Sequence, residues 1–265
     1  MQMDDSRYGG DGSLPVLPLK LWVYTNFDCN LSCQYCLANS TPRTPRKEIG
    51  LAMVKQLLDE AADIGFDSVY FTGGEPMLLD TIYEMLAYAS ARLPTILLTN
   101  AMLLQGQRLD RLSAVAHPNL TIQVSLDGGR AETHDAYRGK GSWGKTVEGI
   151  LKLQERGFRV RLSTTETPAN RSSLVEVCAF HRSLGIPEED HFVRPLARRG
   201  AAQEGMLVSQ ETLSPEITVS VDGVYWHPLS TDKDMLIRQQ IFPLSEPVRL
   251  VMEKLQGAQA LQTVK

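Results

Sequence analysis

Residues 120–127 read LTIQVSLD, a run in which apolar and polar side chains take turns. On an extended chain Leu120, Ile122, Val124 and Leu126 share one face, and Thr121, Gln123, Ser125 and Asp127 share the other. Residues 159–165, RVRLSTT, repeat the pattern, with Arg159, Arg161, Ser163 and Thr165 opposite Val160 and Leu162. A parallel strand covered on both sides by helices is apolar throughout. Strands with one polar face therefore belong to an antiparallel sheet with a wet side, or to a parallel sheet curved around a polar interior.

The segments between the strands favour the second. Strand-like runs at 19–25, 68–72, 95–100, 120–127, 159–165 and 191–197 alternate with helix-like runs at 48–65, 78–93, 107–116, 143–156 and 172–185. Connections of this length are not hairpins; they make right-handed βα units. Eight units would close a barrel. Six predict an α/β fold, a partial (β/α)6 TIM-like barrel left open, with a doubly wound sheet as the alternative. The polar strand face then lines a ligand-filled interior. Residues 217–229, ITVSVDGVYWHPL, read as a β-hairpin about Asp222-Gly223, and 244–256 as a final helix. The expected organisation is a disordered segment over 1–18, the barrel over 19–200 and an extension over 201–265.

Bulk properties exclude several classes. The chain has 265 residues, 43% hydrophobic and 22% charged, with a net charge of −4, so nothing points to nucleic acid or a membrane surface. No apolar run approaches the ~18 residues of a membrane span. The N-terminus lacks an apolar signal region, so the expected location is cytoplasmic.

Three of the four cysteines fall in one octapeptide, CNLSCQYC, at Cys29, Cys33 and Cys36. Disulfides there would leave an odd thiol, and thiolates suit zinc or iron–sulfur. Structural zinc takes four protein ligands. The fourth cysteine, Cys178, sits in a helical pattern whose ordinary reading is a small core residue. Three thiolates with no fourth suit a [4Fe–4S] cluster with one open coordination position, although a closed zinc site on a non-catalytic protein is the competing reading.

The CxxxCxxC loop, with Tyr35 before its last cysteine, follows the first strand and resembles the cluster loop of the radical S-adenosylmethionine (radical SAM) enzymes. FTGGEP (71–76) follows the second strand, and SLDG (125–128) with HDAYRGKGSW (134–143) follows the fourth. These resemble further motifs of that superfamily, in the branch that carries SPASM or twitch domains. The resemblance covers residues 20–200. It implies a cluster on Cys29, Cys33 and Cys36 and S-adenosylmethionine as the second cofactor. Gly73, Gly74, Glu75 and Pro76 would hold the methionine amino group, and Ser125 and Arg138 its carboxylate. Asn100 and Asp127 would hold the ribose or amino group, and Leu196 would lie by the adenine. One electron from a reductant such as flavodoxin or ferredoxin then cleaves the sulfonium to a 5′-deoxyadenosyl radical, which abstracts hydrogen from a substrate.

The chain departs from that branch after the barrel, where no cysteine follows Cys178. An auxiliary cluster is therefore not expected, and redox-neutral outcomes gain weight. His227, in the hairpin, is not assigned a metal. Glu166 and Cys178 are weak catalytic candidates, Cys178 as a hydrogen-atom donor. Arg194, Arg198 and Arg199 form a group at the open end of the barrel that could recognise a carboxylate or phosphate. The branch implies a peptide or protein precursor as substrate. About twenty residues precede the barrel, too few for a leader-binding domain, so a small anionic metabolite is the alternative.

Overall fold

The computed structural model describes residues 19–208, 213 and 216–262, with side chains through residue 253. The segment 1–18 expected to be disordered lies outside the described residues.

Strands and helices alternate as β1 (Lys20–Tyr24), α1 (Leu51–Ile64), β2 (Ser68–Thr72), α2 (Ile82–Ser90), β3 (Thr95–Thr99), α3 (Gly106–Ala114) and β4 (Leu120–Ser125). Then come α4 (Ala131–Arg138), α5 (Ser142–Glu155), β5 (Arg159–Glu166), α6 (Leu174–Ser183) and β6 (His191–Pro195). The short helix α4 is an addition to the expected series. The six strands pair in parallel and in chain order. A doubly wound sheet would reverse direction beside its first strand. Here β2 to β6 advance one way from β1, which is barrel winding, and the sheet stays open.

The free side of β1 is taken by β7 (Ile217–Ser220), also parallel, followed by the antiparallel β8 (Gly223–Tyr225) and β9 (Leu236–Arg238). The hairpin expected at Asp222-Gly223 therefore extends the barrel sheet, which has nine strands in the order β6-β5-β4-β3-β2-β1-β7-β8-β9. The last helix is α7 (Ser245–Gln262). No helix among the described residues is long and apolar enough to cross a membrane.

Strand parity sorts the side chains into two layers. Val23, Phe71, Leu97 and Ile122 stand in register across β1 to β4, and all four are fully buried. Val54, Leu57 and Leu58 of α1 and Met85 and Leu86 of α2 cover that face and are equally buried. This outer layer is the hydrophobic core and supplies the main driving force for folding. The concave face carries Trp22, Tyr70, Ile96 and Thr121 in one register row, and Leu98, Gln123 and Arg161 in another. Its polar character is what separates this sheet from one buried on both sides.

α6 closes the outer layer beside β5 and β6 with an imidazole. His181 is fully buried, and neither of its ring nitrogens has a hydrogen-bond partner. Its ring meets His191 edge-on at 3.9 Å, and His191 in turn bonds Thr164 Oγ1 at 2.9 Å. Burial, aided by His191, lowers the His181 pKa to about 3. A base depressed on folding stabilises the native state above its unfolded pKa, near 6.5, and that contribution is lost as pH falls. Between pH 7 and pH 5, urea unfolding of the native sequence should lose about 2 kcal/mol more than that of His181→Leu. Equal losses in the two proteins would show that His181 does not titrate with folding.

Candidate active site at the mouth of the barrel

After β1 the chain crosses the C-terminal ends of the strands, and this crossing holds the three cysteines. All are free thiols and half-buried. Leu31 N–H donates to Cys29 Sγ at 3.4 Å and Ser40 N–H to Cys36 Sγ at 3.2 Å. The loop is pinned from two sides: Gln34 N–H donates to Tyr137 O at 2.9 Å, and Ala201 N–H donates to Cys36 O at 2.9 Å. Burial pushes Cys29 up to about 12 and Cys33 up to about 11, the latter against the pull of Arg138. Thiolates in such a setting need a cationic partner.

The donor set can be tested against the group it would hold. Among the described residues no three His, Cys, Asp or Glu side chains converge on one metal-ion position. A mononuclear zinc site requires that convergence. A cubane does not, because each thiolate binds a different iron. Cys178 is half-buried on α6 and His227 follows β8, so neither completes a zinc set from the loop itself. Three thiols on one backbone-anchored loop fit a [4Fe–4S] cluster better than closed zinc.

The GGEP segment is the bed on which this loop rests. Gly74 N–H donates to Asn26 O at 2.8 Å and Glu75 N–H to Asp28 O at 3.0 Å. A Cβ at Gly74 would stand 2.0 Å from Asp28 O, and one at Gly73, where φ is 135°, would stand 2.3 Å from Asn26 O. Only glycine permits this approach. Glu75 is buried and turned into the scaffold: Oε1 accepts from Thr99 Oγ1 at 2.7 Å and Met77 N at 3.1 Å, and Oε2 from Asn100 N at 2.9 Å. Burial raises its pKa, and these three donors oppose the rise. Pro76 opens a single 3-10 turn, Pro76–Leu78. Asn100 donates from Nδ2 to Asn30 Oδ1 at 2.8 Å and accepts from Met102 N at 3.0 Å, so its amide is also spent on the loops. The carbonyls of Gly73 and Gly74 accept no hydrogen bond among the described residues.

Asp127, just past β4, is fully buried and holds five neighbours. Its Oδ1 accepts from Thr165 N at 2.8 Å, and its Oδ2 accepts from Arg138 Nε at 2.6 Å and from Tyr35 Oη. Its own N–H donates to His134 Nδ1 at 3.1 Å, and its carbonyl accepts from Asn170 Nδ2 at 2.7 Å. Burial would lower the Arg138 pKa, but the Asp127 carboxylate holds it above its ordinary value. The Arg138 guanidinium lies 5.3 Å from the Tyr35 ring centre, and its two terminal nitrogens have no partner among the described residues. Ser125 ends β4 beside Ser163, with its hydroxyl free of intramolecular bonds.

The remaining residues singled out in the sequence separate. Glu166 ends β5 and pairs with Arg171 at 2.7 Å. The three arginines diverge: Arg194 is exposed on the row of β6 in register with Thr165, Arg198 is exposed on the turn that follows, and Arg199 pairs with Asp234 at 2.5 Å and Asp232 at 3.5 Å. Leu196 is buried, and its carbonyl accepts from Met206 N at 2.8 Å. A cavity of about 700 Å³ opens over Cys33 and Cys36, walled by Thr41, Tyr137, Ala202 and Glu204. Sequence reasoning passed over Asn170 and the N–H of Thr165. Neither lies in a recognisable motif, and only the fold brings them to Asp127.

A parallel α/β partial barrel with a thiol loop and a glycine-bedded mouth defines a cluster-bearing enzyme. The match to known proteins is specific: residues 23–169 fit the family described as the radical SAM superfamily. The chain belongs to the radical SAM superfamily, S-adenosylmethionine-dependent enzymes built around a [4Fe–4S] cluster. It is 32% identical over 179 residues to the AdoMet-dependent heme synthase of Methanosarcina barkeri, which covers 66% of this chain and 51% of that protein. The chain thus spans about half the length of the curated relatives it matches. In fold it is similar to Streptococcus suis SuiB bound to precursor peptide SuiA, with a TM-score of 0.54, 22% identity, and 64% of this chain and 38% of that one covered. It is also similar in fold to BtrN in complex with AdoMet and 2-DOIA, with a TM-score of 0.56, 17% identity, and 91% and 86% of the two chains covered.

Removing one partner of a buried ion pair leaves an uncompensated charge. Arg138→Leu should therefore lower the unfolding free energy by about 3–5 kcal/mol in denaturant melts. An unchanged midpoint would mean that the Asp127 pair contributes nothing to the fold. Gly74→Ala should lose about 1–3 kcal/mol by overpacking and retain less iron per chain after anaerobic reconstitution. Full iron and native stability would show that the loop can give way.

Proposed function

We propose that Cys29, Cys33 and Cys36 hold the cluster and that this chain reductively cleaves S-adenosylmethionine to act on a substrate bound in the barrel. When bound, cluster and cofactor together supply a 5′-deoxyadenosyl radical that takes a hydrogen atom from that substrate. The observation that carries the reading is the setting of the three thiols. They share one loop, pinned by GGEP beneath and by Ala201 above, over an open polar interior.

The surrounding residues then have distinct tasks. Asp127 and Tyr35 orient Arg138 so that its free nitrogens, with the Ser125 hydroxyl, suit a carboxylate. The unpaired carbonyls of Gly73 and Gly74 suit an ammonium group. Glu75 and Asn100 act through the loops as positioning residues, because their polar atoms are already engaged. Leu196 offers an apolar surface to the adenine. The electron would come from a flavodoxin- or ferredoxin-like donor, in a reducing, cytoplasmic compartment that keeps the thiols free.

On substrate, the cationic barrel interior favours a small anionic metabolite. A peptide or protein precursor is the second reading. It draws on the likeness to SuiB, whose structure holds the precursor peptide SuiA, and on the open cavity over Cys33 and Cys36.

Anaerobic reconstitution tests the core of the reading. The protein should take up about four irons with matching sulfide and form 5′-deoxyadenosine from S-adenosylmethionine under dithionite, and Cys33→Ala should lose both. Tightly held zinc with no cofactor cleavage would overturn it.

A further inference from the structure

Inside the barrel, below the thiol loop, several cationic and polar groups are left without partners. Arg161 on β5 stands in register beside Gln123 on β4. Its Nε is buried and makes no hydrogen bond. The nearest carboxylate, Asp190, is 3.8 Å away, too far for one, and already takes Arg159 at 2.8 and 3.1 Å. The Arg161 guanidinium instead lies over the Phe192 ring, 4.3 Å from its centre. Gln123 is 2% exposed, yet its Oε1 has no partner.

Arg194, on the edge strand β6, is the second cation. It has no hydrogen bond or ion pair among the described residues. Although solvent reaches it, protein walls it in, and that burial lowers its pKa, with Glu216 and Tyr70 facing it and Arg161 adding repulsion. Glu216 does not neutralise it: that carboxylate already takes Lys20 Nζ at 3.1 Å and the Trp22 indole N–H. His227, also in this region, is kept neutral by burial, with its pKa lowered to about 4. The interior therefore holds Arg161, Arg194 and Lys20, with Glu216 on Lys20 and Asp190 at ion-pair distance from Arg161. Buried polar groups in native proteins normally find partners, and unpaired cations in a walled hollow are costly. Solvent satisfies Arg194 in the free protein, and an anion that meets Arg194 and the buried Arg161 Nε would displace that water.

We infer that Arg161, Arg194 and Gln123 form an oxyanion-binding site inside the barrel, and that the substrate is anchored there by a carboxylate or phosphate. The inference rests on the proposed radical chemistry only for calling the anchored molecule a substrate. Two guanidinium forks match either oxyanion, and the Gln123 amide adds a donor to the same group. Gln123 and Arg161 each lie two residues before Ser125 and Ser163 on their strands, about 7 Å deeper than the mouth. Arg194 stands in register with Thr165, nearer the mouth, so the anion is held between the deeper Arg161 and Arg194, and the rest of the molecule extends up toward the cysteines. The site also differs in place from Arg138, whose free nitrogens belong to the mouth.

Calorimetric titration of the cluster-loaded protein tests this, using inorganic phosphate and, separately, succinate, with chloride as control and saturating S-adenosylmethionine present. One saturable site per chain is expected for phosphate or succinate, and the stronger of the two identifies the headgroup. Arg194→Gln and Arg161→Gln should each weaken it at least tenfold, while the exposed Arg182→Gln leaves it unchanged. Arg194 has no partner to lose, so Arg194→Gln decides the question if the Arg161 variant does not fold. No binding of either anion, equal binding to Arg194→Gln, or binding abolished by S-adenosylmethionine would overturn the site. No reductant is used, so the proposed chemistry is judged separately. Anion binding without 5′-deoxyadenosine formation would remove the radical reading and keep the site, whereas cleavage without anion binding would do the reverse.

Discussion

The buried carboxylate of Asp127 is the constraint on which the mouth of this barrel depends. It is held by the backbone of β5, by Arg138 at the end of α4 and by Tyr35 inside the thiol loop. Its backbone adds His134 and Asn170. A single side chain thus joins three segments, two of which, the thiol loop and α4, are also pinned by the Gln34 N–H bond to Tyr137 O. Its ion pair with Arg138 is a demanding arrangement, because both charges leave water. Every Asp127 oxygen is satisfied, which is the condition under which such a network rigidifies a structure. Glu75 plays a parallel part on the other side of the mouth, and it also spends its carboxylate on backbone and hydroxyl donors.

Much of the fold was legible in the sequence because it rests on local periodicity. Alternation in residues 120–127 and 159–165 placed a polar face on the concave side, and six strand–helix alternations gave barrel winding. The pairing of β7 with β1 was not legible, since a hairpin signal at Asp222-Gly223 says nothing about which sheet edge receives it. The short helix α4 was hidden because AETHDAYR has a weak apolar stripe. The gathering of three thiols was readable because Cys29, Cys33 and Cys36 share one loop. Side-chain direction was not. Motif position alone brings Glu75 and Asp127 to the mouth, but only long-range partners such as Thr99 and Thr165 turn their carboxylates inward. Arg194, Arg198 and Arg199 read as one group in sequence, yet strand parity and a turn send them three ways.

The two layers of the barrel divide the work of folding and of binding. The outer layer, from Val23 to Ile122, is apolar and fully covered. The inner layer mixes the buried Trp22 and Ile96 with Gln123, Arg161 and Arg194, and it is the more polar of the two. A sheet left open at β6 can accept such an interior because the stability is drawn from the other face. β7 to β9 then widen the wall without closing it, and the ion pairs of Arg199 with Asp232 and Asp234 tie that wall to the turn after β6.

That turn also rests on the thiol loop. A Cβ at Gly200 would stand 2.2 Å from Cys36 O, and Ala201 N–H bonds the same carbonyl. Cys36 and Gly200 are far apart in the chain, so during synthesis the cysteines emerge well before the segment that seats against them. At ribosomal rates the interval is on the order of ten to thirty seconds. Throughout it the three thiols stand on a loop whose bed, Gly73 and Gly74, is already made but whose cover is not. The order of the chain thus leaves the cysteines uncovered until the segment after β6 arrives to seat against them.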